Sequence, residues 1–298
     1  MEAVLYVTIG FIASVSGGFW GLGGGWMIVP SLLLFGVDVQ TVAAASLFQM
    51  AISSFWTVYK QFPKIGWEKG GWGWKAAFPF CTASFIAGFF GESASAFLKN
   101  TFKSEVPHQL LFLCILVWIF ISIFKKKPVA GDAKNSGIHS ATAKSLIASG
   151  AGLFTGMISS IIGIGGGVMT RPVMISLLSV PEKTTGMITR FIVLLTGISG
   201  TVSYLCLGNV DGLNVITIGL MLATGGIPGF IIGAKMHELV LKSGRDEEAH
   251  RSFAIIVLLV IAGMVCKVTG MIIPGRVIIS ISGVMICIFL TWTSFRKR

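Results

Sequence analysis

The sequence has few charged residues and none of the short motifs that mark common active sites. Only 12% of its 298 residues are Asp, Glu, Lys or Arg, roughly half the share in a soluble domain. Its five cysteines form no C-x-x-C pair, so neither a disulfide framework nor a metal site has support. Walker and G-x-S-x-G motifs are absent too. We therefore expect no enzyme, no ATP-driven pump, no cofactor and no metal.

Hydrophobic residues, in contrast, make up 54% of the chain, and several apolar runs are long enough to cross a membrane. This pattern predicts an all-α polytopic membrane protein. The net charge of +11 would suggest nucleic acid as a partner of a soluble protein. Here the Lys and Arg residues cluster in loops between apolar runs, so membrane topology explains them better and no nucleic-acid partner is expected.

One glycine-rich motif occurs twice, 142 residues apart. Gly21–Pro30 and Gly163–Pro172 both read G-x-G-G-G-x-M-x-x-P. Three consecutive glycines do not favour a continuous helix, and matching broken segments in two halves are typical of transporters. The sequence therefore predicts a first repeat over 1–124, a cytoplasmic linker over 125–143, and a second repeat with an extra C-terminal helix over 144–298.

The distribution of positive charge tests how these broken segments cross the membrane. If each one is a re-entrant hairpin, the Lys and Arg residues outside the apolar runs divide 17 against 4 between the two sides. If each crosses once, the division is 11 against 10. The first scheme predicts three full spans per repeat, inverted repeats, an outside N-terminus and a cytoplasmic C-terminus in the cell (inner) membrane. It also predicts that neither arm of the first broken segment, interrupted at 17–25, spans the bilayer.

Two arginines, Arg171 and Arg190, lie in otherwise apolar sequence. Intramembrane arginines usually face a cavity or a partner, which favours an anion site, although both could instead reach the cytoplasmic headgroups. The helices that follow the glycine runs would point free N–H groups and the positive ends of their dipoles at the same place. The candidate backbone donors lie in the two glycine runs, Gly23, Gly24, Gly25, Gly165, Gly166 and Gly167, although glycines also serve close helix packing.

Polar side chains on the next helices extend this candidate site. Ser46, Gln49 and Thr189 could hydrogen-bond an oxyanion, or could bond their own helix backbone instead. Glu92 could take part in proton coupling, or could simply be hydrated near a helix end. Gly229 and Gly233 have the spacing of close helix packing. The expected partners are a small anion and membrane lipid, and a homodimer is left open.

These glycine motifs resemble those of the TauE/SafE family of membrane permeases, often called sulfite exporters. The likeness extends over nearly the whole chain, since each half opens with the motif, and Gly208–Asp211 is similar to the family's G-x-V-D turn. The first half departs from it, with Gly66-Trp67-Glu68 and no Asp. The resemblance implies transport, as a secondary transporter and expected exporter, of small sulfur-containing or organic anions such as sulfite, sulfonates or sulfoacetate.

Other functions fit the sequence less well. A passive anion channel could use the same arginines and helix ends. A membrane-embedded lipid enzyme would need a nucleophile or metal constellation, and the sequence shows neither. A sensor or scaffold could use the linker 125–143, which carries no recognisable motif. The leading interpretation is alternating access between two inverted repeats.

Overall fold

A computed structural model of the chain describes residues 2–68, 71–124, 141–208, 210–242 and 246–295. Every regular element in these ranges is helical, which confirms the predicted all-α class. Seven helices are long and apolar enough to cross a membrane, or eight if one bent pair counts as a single span. The helices α1 to α12 are Glu2–Trp20, Gly25–Leu34, Val39–Gln61, Phe78–Phe89, Gly91–Phe102, Val106–Phe124, Ala141–Ile162, Gly167–Pro172, Glu182–Leu207, Gly212–Lys242, Asp246–Val268 and Ile272–Phe295.

The first broken segment folds back on itself. After α1 ends at Trp20, the chain turns over residues 21–24, and α2 runs back beside α1. A methyl group added at Gly17 would lie 2.5 Å from the Gly23 backbone, and one at Gly24 would lie 3.3 Å from the Ala13 carbonyl oxygen, so the chain folds back along α1. The prediction that the first arm is too short to span the bilayer is wrong, because α1 continues through Gly17 and Gly18 and reaches 19 residues.

The second broken segment has the same organisation. α7 ends at Ile162, residues 163–166 make the turn, and α8 continues into a π-helical turn over Val173–Leu177. A methyl group added at Gly166, directly before α8, would lie 3.5 Å from Thr155 Cγ2 in α7. The second segment therefore also folds back onto its own first helix. Residues 125–140 of the predicted linker 125–143 lie outside the described residues.

The two halves pack across each other through close helix contacts. A methyl group added at Gly229 of α10 would lie 2.5 Å from the Phe11 carbonyl oxygen in α1. One added at Gly233 would lie 2.0 Å from the Val15 carbonyl oxygen, also in α1. The close packing expected at these two glycines is therefore present. In the same way, Gly152 and Gly156 of α7 lie against the backbone of α4. The first helix of each half thus packs on the third element of the other half.

The third element of the first half is bent. It consists of two helices, α4 and α5, which meet at a 42° bend. Phe90 lies between them, and its N–H bonds the Ala87 carbonyl three residues back, which tightens the last turn of α4. Gly91 packs directly on Ser160 of α7. The bend brings Glu92 into the protein interior, where only 3% of it is exposed.

Candidate anion site at the crossing of the two hairpins

The two glycine runs touch each other in the middle of the protein, and both are buried. A methyl group added at Gly25 would lie 2.5 Å from the Gly163 carbonyl oxygen, and one at Gly167 would lie 2.5 Å from that of Leu22. Each hairpin therefore contacts the other through its backbone. Gly23 and Gly165 both adopt φ +80°, a conformation that side chains disfavour, so the turns themselves also require glycine.

Two apolar side chains occupy corresponding places beside these turns. Met50 of α3 and Val193 of α9 both lie against Gly23 and Gly165. The Gly25 N–H points at Met50 Sδ, 3.2 Å away, and the Gly167 N–H bonds the Gly165 carbonyl at 2.8 Å. These two predicted donors are thus already engaged in this conformation. Met50 gives no functional signal in the sequence, because a methionine in an apolar helix usually indicates ordinary core packing.

Of the polar residues that follow each hairpin, Ser46 bonds the crossing directly, whereas Gln49 and Thr189 form no hydrogen bond with either glycine run. Ser46 Oγ donates to the Gly163 carbonyl at 2.9 Å and so ties α3 to the other half. Thr189 occupies the matching position on α9, yet its buried Oγ1 has no hydrogen-bond partner. Gln49 Nε2 bonds the hydroxyls of Ser14 and Ser53 at 2.6 and 2.8 Å, and its Oε1 has no partner. Buried polar atoms without partners are rare and call for an explanation.

Both arginines reach from the second half to the C-terminal end of α1. Arg171 Nη1 donates to the Trp20 carbonyl at 2.6 Å, and Arg190 Nη2 donates to the Gly18 carbonyl at 3.2 Å. Arg190 Nη1 also bonds Gln61 Oε1 at 3.0 Å, whereas its Nε has no partner and only 6% of the residue is exposed. The end of a helix carries a negative partial charge and free carbonyls, so cations are stabilised there.

The corresponding end of α7 is held by a neutral group. Tyr204 Oη donates to the carbonyls of Ser160 and Ile161, each at 3.3 Å. Tyr204 was not among the predicted site residues, although it is one of only three tyrosines and lies within an apolar run. The site is therefore asymmetric: two permanent positive charges meet the end of α1, and a hydroxyl meets the end of α7.

This arrangement suits the binding of an anion. Arg190 is buried and donates to neutral oxygens, and Glu238 is its acidic neighbour without forming an ion pair with it. Lys99 and Asp38 pair with each other at 2.8 Å, far along the chain from Arg190. An unused guanidinium N–H at Arg190 and a free hydroxyl at Thr189, the residue before it in the sequence, are the kinds of donors from which oxyanions accept hydrogen bonds. The described part of the chain has no cluster of His, Cys, Asp and Glu suited to a metal ion.

These features define a polytopic membrane protein of the transporter class, with two broken hairpins meeting at its centre. The family profile described as Sulfite exporter TauE/SafE matches residues 6–265, and the chain belongs to that family. It is 27% identical to "Probable membrane transporter protein MJ0441" of Methanocaldococcus jannaschii, over 70% of this chain and 74% of that protein.

Two further relatives agree with this membership. The chain is 25% identical to "Probable membrane transporter protein YunE" of Bacillus subtilis, over 79% of this chain and 87% of that protein. It is 39% identical to "Sulfite exporter TauE/SafE family protein 3" of Arabidopsis thaliana over 20% of this chain and 13% of that protein. No solved structure matches the chain.

Proposed function

We propose that this protein is a secondary transporter, and specifically an exporter, of small sulfur-containing or organic anions such as sulfite, sulfonates or sulfoacetate. The family's description and the name of the Arabidopsis relative both refer to sulfite export, which supports the substrate class. The observation that carries the proposal is the pair of arginines at the hairpin crossing. Arg190 is buried there, bonds only neutral oxygens and keeps an unused Nε.

The present contacts of the arginines suggest how the anion binds. Carbonyl oxygens are weaker acceptors for a guanidinium than an oxyanion, which can accept two parallel hydrogen bonds. An anion that arrives at the crossing would take over donors now directed at Gly18 and Trp20. Because those carbonyls end α1, the exchange would also loosen the contact between the first hairpin and α9.

The closed state of the crossing supports alternating access. Both glycine runs are buried, and Met50 and Val193 lie against them, so the crossing is closed in this conformation. A closed centre between two reciprocally packed halves suits rocking of inverted repeats better than a permanently open anion channel. In this scheme both hairpins are re-entrant, the N-terminus lies outside and the C-terminus is cytoplasmic.

Transport by purified protein in liposomes tests the proposal. Vesicles would be loaded with unlabelled sulfite, sulfate, thiosulfate, a sulfonate, sulfoacetate or a simple carboxylate, and uptake of the labelled anion would be followed. We expect acceleration by unlabelled sulfite or sulfonate on the opposite side. Conductive flux without such acceleration would indicate a channel, and no flux of any of these anions would overturn the proposal.

The role of Arg171 gives the most specific test of the binding site. Arg171→Lys keeps the charge but removes the side-by-side donors, so we expect anion binding to weaken by roughly 1–3 kcal/mol with the fold retained. Arg276→Lys is the matched control, because Arg276 Nε also bonds a carbonyl near a helix end, that of Leu34, at 2.9 Å. Equal binding by both variants and the parent would reduce Arg171 to a structural anchor.

A further inference from the structure

A second set of buried hydroxyl groups lies between α4, α7 and α9, and the proposed anion site does not use it. Ser84, Ser160 and Ser199, called here the outer serines, are at most 1% exposed. The hydroxyl oxygens of Ser84 and Ser160 have no hydrogen-bond partner. A buried serine can satisfy its hydroxyl on its own helix, as Ser31 and Ser282 do at 2.7 Å. Two of the outer serines therefore carry hydrogen-bonding capacity that the closed conformation leaves unused.

The outer serines meet beside glycines, which bring three helices into direct contact. A methyl group added at Gly88 of α4 would lie 2.4 Å from Ser199 Oγ and 3.2 Å from Ser160 Oγ. One added at Gly200 of α9 would lie 2.7 Å from Ser160 Oγ. Ser84 precedes Gly88 by about one turn of α4. The three helices thus close on one another along a seam of small residues with unused hydroxyl groups inside it, called here the outer seam.

Hydrogen bonds connect the outer seam to the hairpin crossing. Thr196, about one turn before Ser199 on α9, donates to the Gly165 carbonyl at 3.1 Å. At the other end of the seam, Tyr204 Oη donates to the Ser160 carbonyl at 3.3 Å. The outer seam therefore runs from the centre of the protein along α9 to the end of α7.

A corresponding seam lies between α1, α3 and α10, and α3 continues from it to the glutamine that Arg190 bonds. A methyl group added at Gly226 of α10 would lie 3.0 Å from Ser14 Oγ of α1. One added at Gly156 of α7 would lie 2.2 Å from the Ser84 carbonyl oxygen of α4. Ser14 and Gly156, and likewise Ser84 and Gly226, are separated by the same 142 positions as the two glycine motifs. The two contacts are therefore counterparts, one beside the arginines and one in the outer seam.

We propose that the outer seam is the passage through which the anion leaves the protein. This inference rests on the proposed transport function. When α4 and α7 separate from α9, the unused hydroxyls face the opening and donate to water or to the passing anion. In the proposed topology α7 ends toward the outside, whereas α1, which carries the two arginines at its end, ends toward the cytoplasm. Neutral hydroxyls hold an anion less tightly than guanidinium groups do, so the anion is bound on the inner side and released on the outer side.

Side-specific cysteine labelling tests the passage. The five natural cysteines would first be replaced by alanine, and counterflow of this protein checked. In that background, Ser199→Cys should react with an impermeant, thiol-reactive sulfonate added outside. Ser53→Cys, in the corresponding seam and 2.5 Å from a methyl group added at Gly226, should react only from the cytoplasmic side. Val202→Cys is the matched control on α9, because Val202 is 42% exposed on an apolar surface and should react from neither side.

Serine-to-alanine variants test the same passage with the natural cysteines in place. Ser160→Ala removes a hydroxyl that has no partner in the closed state, so its unfolding temperature should not fall below that of the parent. The apparent affinity for external sulfoacetate should weaken about tenfold, the scale of one lost hydrogen bond to a charged group. The affinity for internal sulfoacetate should change little. Ser282→Ala is the control, because its hydroxyl bonds its own helix in α12 and both affinities should stay as in the parent.

The outcomes separate this passage from transport itself. If the parent catalyses counterflow but Ser199→Cys reacts from neither side, or only from the cytoplasmic side, the outer seam is not the exit and the transporter proposal stands. Unchanged external affinity in both Ser84→Ala and Ser160→Ala would equally overturn the passage. Absence of counterflow in the parent would refute transport, whatever the labelling pattern.

Discussion

The contact between the two hairpins gives a prediction whose size can be worked out from the structure. Added methyl groups at Gly25 and Gly167 would both lie 2.5 Å from a carbonyl oxygen of the opposite hairpin. An ordinary contact is about 3.5 Å, so either substitution to Ala requires the hairpins to separate by about 1 Å. The obstructing atoms are backbone, which cannot rotate away as a side chain can. Overpacking of this kind costs roughly 1–3 kcal/mol.

The control for this prediction is Gly150, which is also helical but has no atom within 4 Å of the added methyl. Gly150→Ala should be neutral or stabilising by up to about 1 kcal/mol, because alanine favours the helix. The Gly25→Ala and Gly167→Ala double variant should cost less than the sum of the two single variants. One separation of the hairpins accommodates both methyl groups, and residues that share a displacement are not additive.

Thermal unfolding of the purified protein in detergent measures these effects. Each single variant should unfold roughly 2–6 °C below the parent, given about 2 °C per kcal/mol for a chain of this size. Anion counterflow in liposomes should fall as well, because the closed state of the crossing is weakened. Unfolding midpoints for Gly25→Ala and Gly167→Ala that match Gly150→Ala would refute the close contact. Strictly additive costs would refute the shared displacement.

Three further predictions follow from other parts of the structure. Gly233→Leu should lower the yield of folded protein, since even a methyl group there meets the α1 backbone at 2.0 Å, whereas Gly150→Leu should express normally. In intact cells, a cysteine at position 103 should react with an impermeant reagent added outside and one at position 64 should not; the reverse result would invert the proposed topology. Asp38→Asn tests the ion pair between Asp38 and Lys99. Burial would raise the pKa of Asp38, but hydrogen bonds from Lys99 and the backbone outweigh it and lower that pKa below its ordinary 3.8. The charged carboxyl therefore stabilises the fold above that value, and the stabilisation is lost as the pH falls through the lowered pKa. The difference in unfolding midpoint between the parent and Asp38→Asn should shrink in acid, and a constant difference would contradict this.

Several features of this protein could be predicted from its sequence because they depend on local pattern. The apolar runs predicted the helical membrane class, and the doubled glycine motif located both interrupted segments. The packing role of Gly229 and Gly233 was also predicted from spacing alone. The polar residues Ser46, Gln49, Thr189, Arg171 and Arg190 were singled out because polar groups in apolar sequence are expensive and rarely accidental.

Only the tertiary structure decided what those residues contact. Arg171 and Arg190 lie more than 140 positions from the carbonyls of Trp20 and Gly18 that they bond, and no local pattern encodes such a pairing. The 42° bend beside Phe90 likewise depends on packing against α7 rather than on helix propensity. Sequence fixes which groups need a partner, because burial in an apolar environment penalises every unpaired polar atom. The fold supplies the partner, because only the packing of the two halves brings distant backbone and side chains within hydrogen-bonding distance.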